Sequence, residues 1–149
     1  MTHEKAHPAP LVLTSEQRTL IEREGCRAYP SECCGVLLGR DEPSARRVVE
    51  VRPLANDFEA DQRHRRFSIT PQALLEAERE SADQGLLVLG FYHSHPDHPA
   101  RPSEFDREHA WPFYSYVIVS VEGGRAGEMT SWVLDEACER FGPQPIESR

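Results

Sequence analysis

The chain has 149 residues, 38 % of them hydrophobic, which suits one core and one domain of ordinary size. Seventeen basic against 25 acidic side chains leave a net charge of −8, which argues against nucleic acid and against anionic membranes as partners. No apolar run approaches the roughly 18 residues of a membrane span, and residues 1–10 lack a signal peptide's apolar stretch, so a soluble, cytoplasmic protein is expected.

Residues 1–10 read as a disordered lead-in to a single domain over 11–149. Thr14-Ser15-Glu16-Gln17 is a capping-box pattern and predicts a helix to about residue 24, stopped by Gly25. Residues 33–40 read as a buried strand, 41–45 as a turn, and 46–54 as a second strand. The polar stretch 55–66 is irregular, and 67–70 reads as a short third strand. Thr70-Pro71 is a helix start, a capping residue followed by proline at the first helical position, and Gly85 ends that helix. Residues 86–93 form an apolar run of strand length, expected at the centre of a sheet and covered on both faces. A loop with Pro96, Pro99 and Pro102 leads to Ser103, which starts a helix to about residue 110. Residues 114–121 and 129–134 read as strands joined across Gly123-Gly124, and Phe141 and Ile146 as part of a last edge strand. The order of elements predicts an α/β fold with a mixed sheet flanked by helices.

Cys26, Cys33, Cys34 and Cys138 form no C-x-x-C pair and too sparse a set for a disulfide scaffold. Cys33 and Cys34 lie in an apolar stretch and read as buried small hydrophobes, the alternative being a redox pair with Cys26 or Cys138.

The segment with chemical content is His93-Ser94-His95-Pro96, followed by Ser103 and Asp106. Residues two apart in a strand point the same way, so His93 and His95 are able to aim imidazoles at one point while Ser94 faces away. Asp106 completes a set of two histidines and one carboxylate, a donor set that suits Zn²⁺ and leaves one tetrahedral position for water. Each piece also has an ordinary explanation. Ser103-x-x-Asp106 is a normal helix start, and His-x-His alone is commonly incidental. His3, His7, His64, His98 and His109 read individually as solvated.

Together, the spacing His93-x-His95, then seven residues to Ser103, then two to Asp106, resembles the JAMM motif of the MPN+ metalloprotease family. The run from Pro30 through Glu32 to Gly39 resembles that family's glutamate-bearing strand. Arg66-Phe67-Ser68-Ile69-Thr70-Pro71, Gly90-Phe91-Tyr92 and Ser131-Trp132 are similar to framework positions of the small prokaryotic members. The resemblance implies a partly barrel-like MPN/JAB sheet, related to the cytidine-deaminase layout. It also implies one Zn²⁺ per chain on His93, His95 and Asp106, Glu32 as the proton-transferring base, and Ser103 as an oxyanion donor. The implied activity is hydrolysis of a peptide or isopeptide bond at the Gly-Gly tail of a ubiquitin-like or sulfur-carrier protein. The protein would act as a monomer or homodimer. Two alternatives stay open: a catalytically silent binding or scaffold module, and a RadC-like DNA-repair protein. RadC-like chains usually carry Asn between the histidines, where this chain has Ser94.

The charge is uneven. Residues 44–66 hold six arginines against four acids, and Arg63 and Arg65 lie in the only local basic cluster. The stretch reads either as a salt-bridged loop or as a docking patch for an acidic carrier or its terminal carboxylate.

Overall fold

The computed structural model describes residues 8–58, 60–64 and 66–149. Most of the predicted lead-in lies outside these residues, as does Arg65. In chain order the elements are β1 (Leu11–Leu13), α1 (Ser15–Ala28), β2 (Cys34–Glu42), β3 (Ala45–Leu54), α2 (Pro71–Asp83), β4 (Leu87–Pro96), α3 (Glu104–Glu108), β5 (Ser115–Glu122), β6 (Arg125–Leu134), β7 (Phe141–Gln144) and β8 (Ile146–Ser148).

The eight strands form one sheet in the order β7-β6-β5-β4-β2-β3-β1-β8. β4 pairs with β5, and β1 with both β3 and β8, in parallel; the other pairs are antiparallel. β7 and β8 occupy opposite ends of this order, yet only Pro145 separates them in the chain. The sheet must therefore curl until its edges nearly meet, which gives the mixed, barrel-like α/β architecture. The seam is tied by Leu11 N–H donating to the Pro145 carbonyl (2.9 Å) and by Gln144 Nε2 donating to the Ala9 carbonyl (2.8 Å).

The inner face of the sheet packs on α1 through Leu11, Leu13, Ile21, Leu37, Tyr92, Val117 and Val119, all fully buried. α2 covers the outer face over Val36, Leu38, Ala77 and Val88. β4 lies between β2 and β5 with both faces covered, as its apolar run predicts. The capping box at Thr14 and Gln17 forms, and Thr70 caps α2 with Pro71 in the first turn.

Four expectations need correction. Gly25 does not stop α1, which runs on to Ala28. A Cβ at this glycine would sit 2.9 Å from Val121 Cγ2, so it permits close approach of helix to sheet. Residues 67–70 form no strand, because β3 already pairs on both sides and the Ser68 N–H is taken by the Asn56 side chain (3.1 Å). β4 extends through Pro96, so both histidines belong to the strand and not to the loop. The tail makes two strands at opposite ends of the sheet, and β1, three residues long, is too short to announce itself by alternation.

Cys33 and Cys34 are buried, and all four cysteines are free. Burial pushes the Cys33 thiol up to about 11 and the Cys34 thiol up to about 12, as expected of inert, packed thiols. No helix among the described residues is long and apolar enough to cross a membrane.

Candidate metal centre

The pleat of β4 sorts its side chains. The register with β2 steps from Leu37↔Gly90 to Leu38↔Val88, leaving Leu89 as an extra, bulged residue. Beyond the bulge the alternation is clean. Ser94 faces α1, its Cβ 3.4 Å from where a Gly25 Cβ would lie, and its Oγ accepts the Cys33 N–H at 2.8 Å. His93 and His95 therefore share the opposite face, as expected. The same hydrogen bond fastens the strand of histidines to the segment that carries Glu32.

α3 delivers Asp106. The Asp106 Oδ2 atom lies 3.2 Å from His93 Nε2 and 3.1 Å from His95 Nε2, and the two Nε2 atoms are 3.1 Å apart. Three ligating atoms on a tetrahedron with ~2.0 Å metal–nitrogen bonds would be about 3.3 Å apart, so the triangle has the size a zinc ion requires. The chemistry of the triangle points the same way. His95 Nδ1 lies 2.8 Å from the Pro99 carbonyl, which can only accept, so Nδ1 carries the ring proton. In the neutral ring, Nε2 then presents a bare lone pair to the carboxylate. A lone pair against a lone pair at 3.1 Å is repulsive unless a cation lies between them, and a metal ion satisfies all three atoms at once.

Charge states match this need. Burial lowers the pKa of His93 and favours the neutral, ligating imidazole. Burial alone would raise Asp106, but the neighbouring His93, close contact with both imidazoles and the hydrogen bond from the Ser103 N–H (2.9 Å) more than offset it and hold the carboxyl below the usual range.

The loop between His95 and Ser103 is clamped from behind. Ser120 Oγ donates to the His98 carbonyl (2.7 Å) and Thr130 Oγ1 to the Ala100 carbonyl (2.6 Å). With its two neighbours turned toward β5 and β6, the Pro99 carbonyl is the one that meets His95. Trp132 Nε1 donates to Thr130 Oγ1 at 2.8 Å and orients that hydroxyl's own proton toward Ala100. Asp97, in the left-handed region at φ 57°, accepts from Tyr29 Oη (2.6 Å) and the Gly123 N–H (2.8 Å). Sequence reading missed Ser120 and Thr130, since a hydroxyl on a strand carries no signal of the carbonyl it meets.

Glu32 is 4 % exposed, not a solvated carboxylate, and its Oε1 has no hydrogen-bond partner among the described residues. Burial, then the negative charge of Asp106, pushes its carboxyl up to about 9. Its backbone is pinned at both ends, N–H to the Arg63 carbonyl (2.6 Å) and C=O from Asn56 Nδ2 (3.1 Å). Asn56 also donates to the Arg66 carbonyl and accepts the Phe58 and Ser68 N–H groups, so one side chain ties Phe58, Arg66 and Ser68 to Glu32. Asn56 was another omission from sequence reading.

Ser103 is exposed and caps α3: its Oγ accepts the Asp106 N–H at 3.0 Å. The sequence set capping and catalysis in competition for this hydroxyl. The geometry removes the conflict, because the cap uses an oxygen lone pair and leaves the O–H proton free to donate. Arg63 donates through Nε to the Phe58 carbonyl at 2.7 Å, which gives it a structural task within its loop. Of the other arginines in the basic stretch, Arg46, Arg47 and Arg52 pair with acids, as a salt-bridged surface predicts. His109, expected to be merely solvated, stacks on Phe105 with centroids 4.1 Å apart and lines the cavity beside Asp106.

Comparison with known proteins agrees with this geometry. Residues 14–135 match the family described as prokaryotic homologues of the JAB domain. A protein of Haloferax volcanii named desampylase is 37 % identical over 119 residues, covering 76 % of this chain and 79 % of that one. A Thermus thermophilus protein named probable TtuB-protein conjugate cleaving protease is 36 % identical over 117 residues, covering 78 % and 72 %. The solution structure of a Desulfitobacterium hafniense protein superimposes with a TM-score of 0.80 at 33 % identity, covering 93 % of this chain and 92 % of that one. The matched span takes in Glu32, both histidines, Ser103 and Asp106, and the chain belongs to the prokaryotic JAB-domain family.

Proposed function

We propose that this protein is a zinc-dependent peptidase or isopeptidase that cleaves after the Gly-Gly tail of a ubiquitin-like or sulfur-carrier protein. The observation that carries the reading is the triangle of His93, His95 and Asp106, three acceptors converging on one point beside a buried carboxyl. His93, His95 and Asp106 would hold the ion. Zinc bound there supplies Lewis acidity, acidifying water and polarising a carbonyl.

The chain's own residues do the rest. Glu32 takes a proton from the attacking water and returns it to the leaving amine. Its burial favours this role: a carboxyl poised near 9 without a cation comes down toward neutrality beside one, where an acid–base group works best. The Ser103 hydroxyl donates to the oxygen on which negative charge develops. The Pro99 carbonyl and the Ser103 N–H keep His95 and Asp106 aimed throughout. The substrate class rests on the relatives, whose names specify desampylation and cleavage of TtuB conjugates.

The test is cleavage of a carrier fused through its Gly-Gly tail to a reporter. Zinc-loaded protein should cleave at the Gly-Gly junction, chelator should abolish cleavage, and added zinc should restore it. Zinc-loaded protein that cleaves no such fusion would refute the reading.

A further inference from the structure

The cavity beside the metal centre is larger and more apolar than the centre's own chemistry requires. It measures about 370 Å³ and reaches His93 and Asp106. Phe105 forms one wall, edge-on to Phe58 and stacked on His109, with ring centroids 5.8 and 4.1 Å away. Phe91 and Tyr116, 5.8 Å apart, form the other. Phe67 lies flat against His93 with centroids 4.5 Å apart, and Trp111, 69 % exposed, lines the cavity's open side.

Protein interiors normally close to crystal-like density, so an apolar hollow of this size leaves ring surface in contact with water. An apolar side chain entering it removes that surface and its own. A charged one gains little, since no Lys or Arg lines the cavity among the described residues and the one carboxylate, Asp106, is committed to the histidines.

We propose that this cavity is the subsite for a bulky apolar side chain, of leucine, methionine or phenylalanine size, on the first residue of the leaving group. The inference rests on the Gly-Gly reading above. Glycines have no side chain, so the two positions before the scissile bond cannot fill the cavity. His93 and Asp106 form part of its lining, so the side chain that fills it adjoins the reacting carbonyl. The residue just after the glycine pair meets both conditions.

Two measurements test this. In Gly-Gly-X fusions, X = Phe or Leu should exceed X = Gly or Asp in kcat/KM by about tenfold to a hundredfold, the range an apolar pocket commands. Trp111→Ala, at an exposed side chain, and Leu74→Phe, which narrows the cavity, should both shrink that ratio. A flat preference, or one that tracks the residue before the glycine pair, overturns the assignment while leaving the hydrolytic reading intact. Independently of turnover, phenylalaninamide should shift the Trp111 indole N–H and the Ser68 and Ile69 amide signals in NMR spectra, and Leu74→Phe should weaken the effect. If no fusion is cleaved, the peptidase reading falls, and this titration still decides whether the cavity takes an apolar side chain. Absence of shifts at the solubility limit of the amide overturns it.

Discussion

Replacing Ser103 with alanine separates the observed helix cap from the oxyanion role proposed for the same hydroxyl. The cap is the Ser103 Oγ···H–N Asp106 bond of 3.0 Å, and losing such a cap costs about 1 kcal/mol. In a domain of this size that lowers Tm by about 2–4 °C. The bond to Asp106 Oδ2 comes from the Ser103 backbone N–H and survives the substitution, so the proposed metal ligand stays aimed. Zinc stoichiometry should therefore be unchanged. Loss of an oxyanion donor, in contrast, should lower kcat by about 10²- to 10³-fold. Ser103→Thr keeps the hydroxyl and should recover most of both losses. The assay combines calorimetry, metal analysis and kcat on a Gly-Gly fusion. Turnover within a few-fold of wild type alongside a lowered Tm would reduce Ser103 to a helix cap and refute the catalytic assignment.

Glu32→Gln should retain zinc and lose hydrolysis; zinc loss would mean that a ligand has been taken for a base. In metal-free protein the same variant should change the pH dependence of stability. The folded carboxyl titrates near 9 against an ordinary 4.5, so between these values the folded state binds the extra proton. That stabilisation is complete below about pH 4.5 and is lost as pH rises through about 9, by up to ~1.4 kcal/mol per pH unit. Tm of wild type minus Tm of Glu32→Gln should thus fall between pH 5.5 and 8.5, and a rising difference would contradict the burial argument. Thr130→Val frees the Ala100 carbonyl and loosens the loop that presents Pro99 to His95, so zinc affinity should drop about tenfold in a chelator competition. Unchanged affinity would leave the clamp without a role. Arg63→Ala removes the bond to the Phe58 carbonyl under the Glu32 loop and should lower Tm and kcat together. An effect confined to KM would instead restore the docking role.

The parts of this molecule legible in the sequence are those whose signals are local. The capping residues Thr14, Thr70 and Ser103, the apolar run of β4 and the two-residue spacing of His93 and His95 each act within a few positions of the chain, and the structure shows the caps, the strand and the shared face. Glu32 is different in kind. Nothing in one acid among 25 marks it, and only the family resemblance singled it out. The reason is physical: it is buried, and its backbone is fixed by the Asn56 side chain and the Arg63 carbonyl, partners distant in the chain that periodicity does not reveal. The closure of the sheet was likewise hidden, because β1 and β8 have three residues each and pair with one another across more than 100 residues of chain. Gly25 misled because glycine serves equally as a helix stop and as a site of close packing, and only Val121 across the interface decides between them.

Zinc titration of chelator-stripped protein tests the metal centre most directly. We expect one tight equivalent per chain for wild type and Glu32→Gln, and none for His95→Ala or Asp106→Asn. Absence of tight binding in the wild type, or its survival in those two ligand variants, would contradict the assignment of His93, His95 and Asp106 as a zinc site.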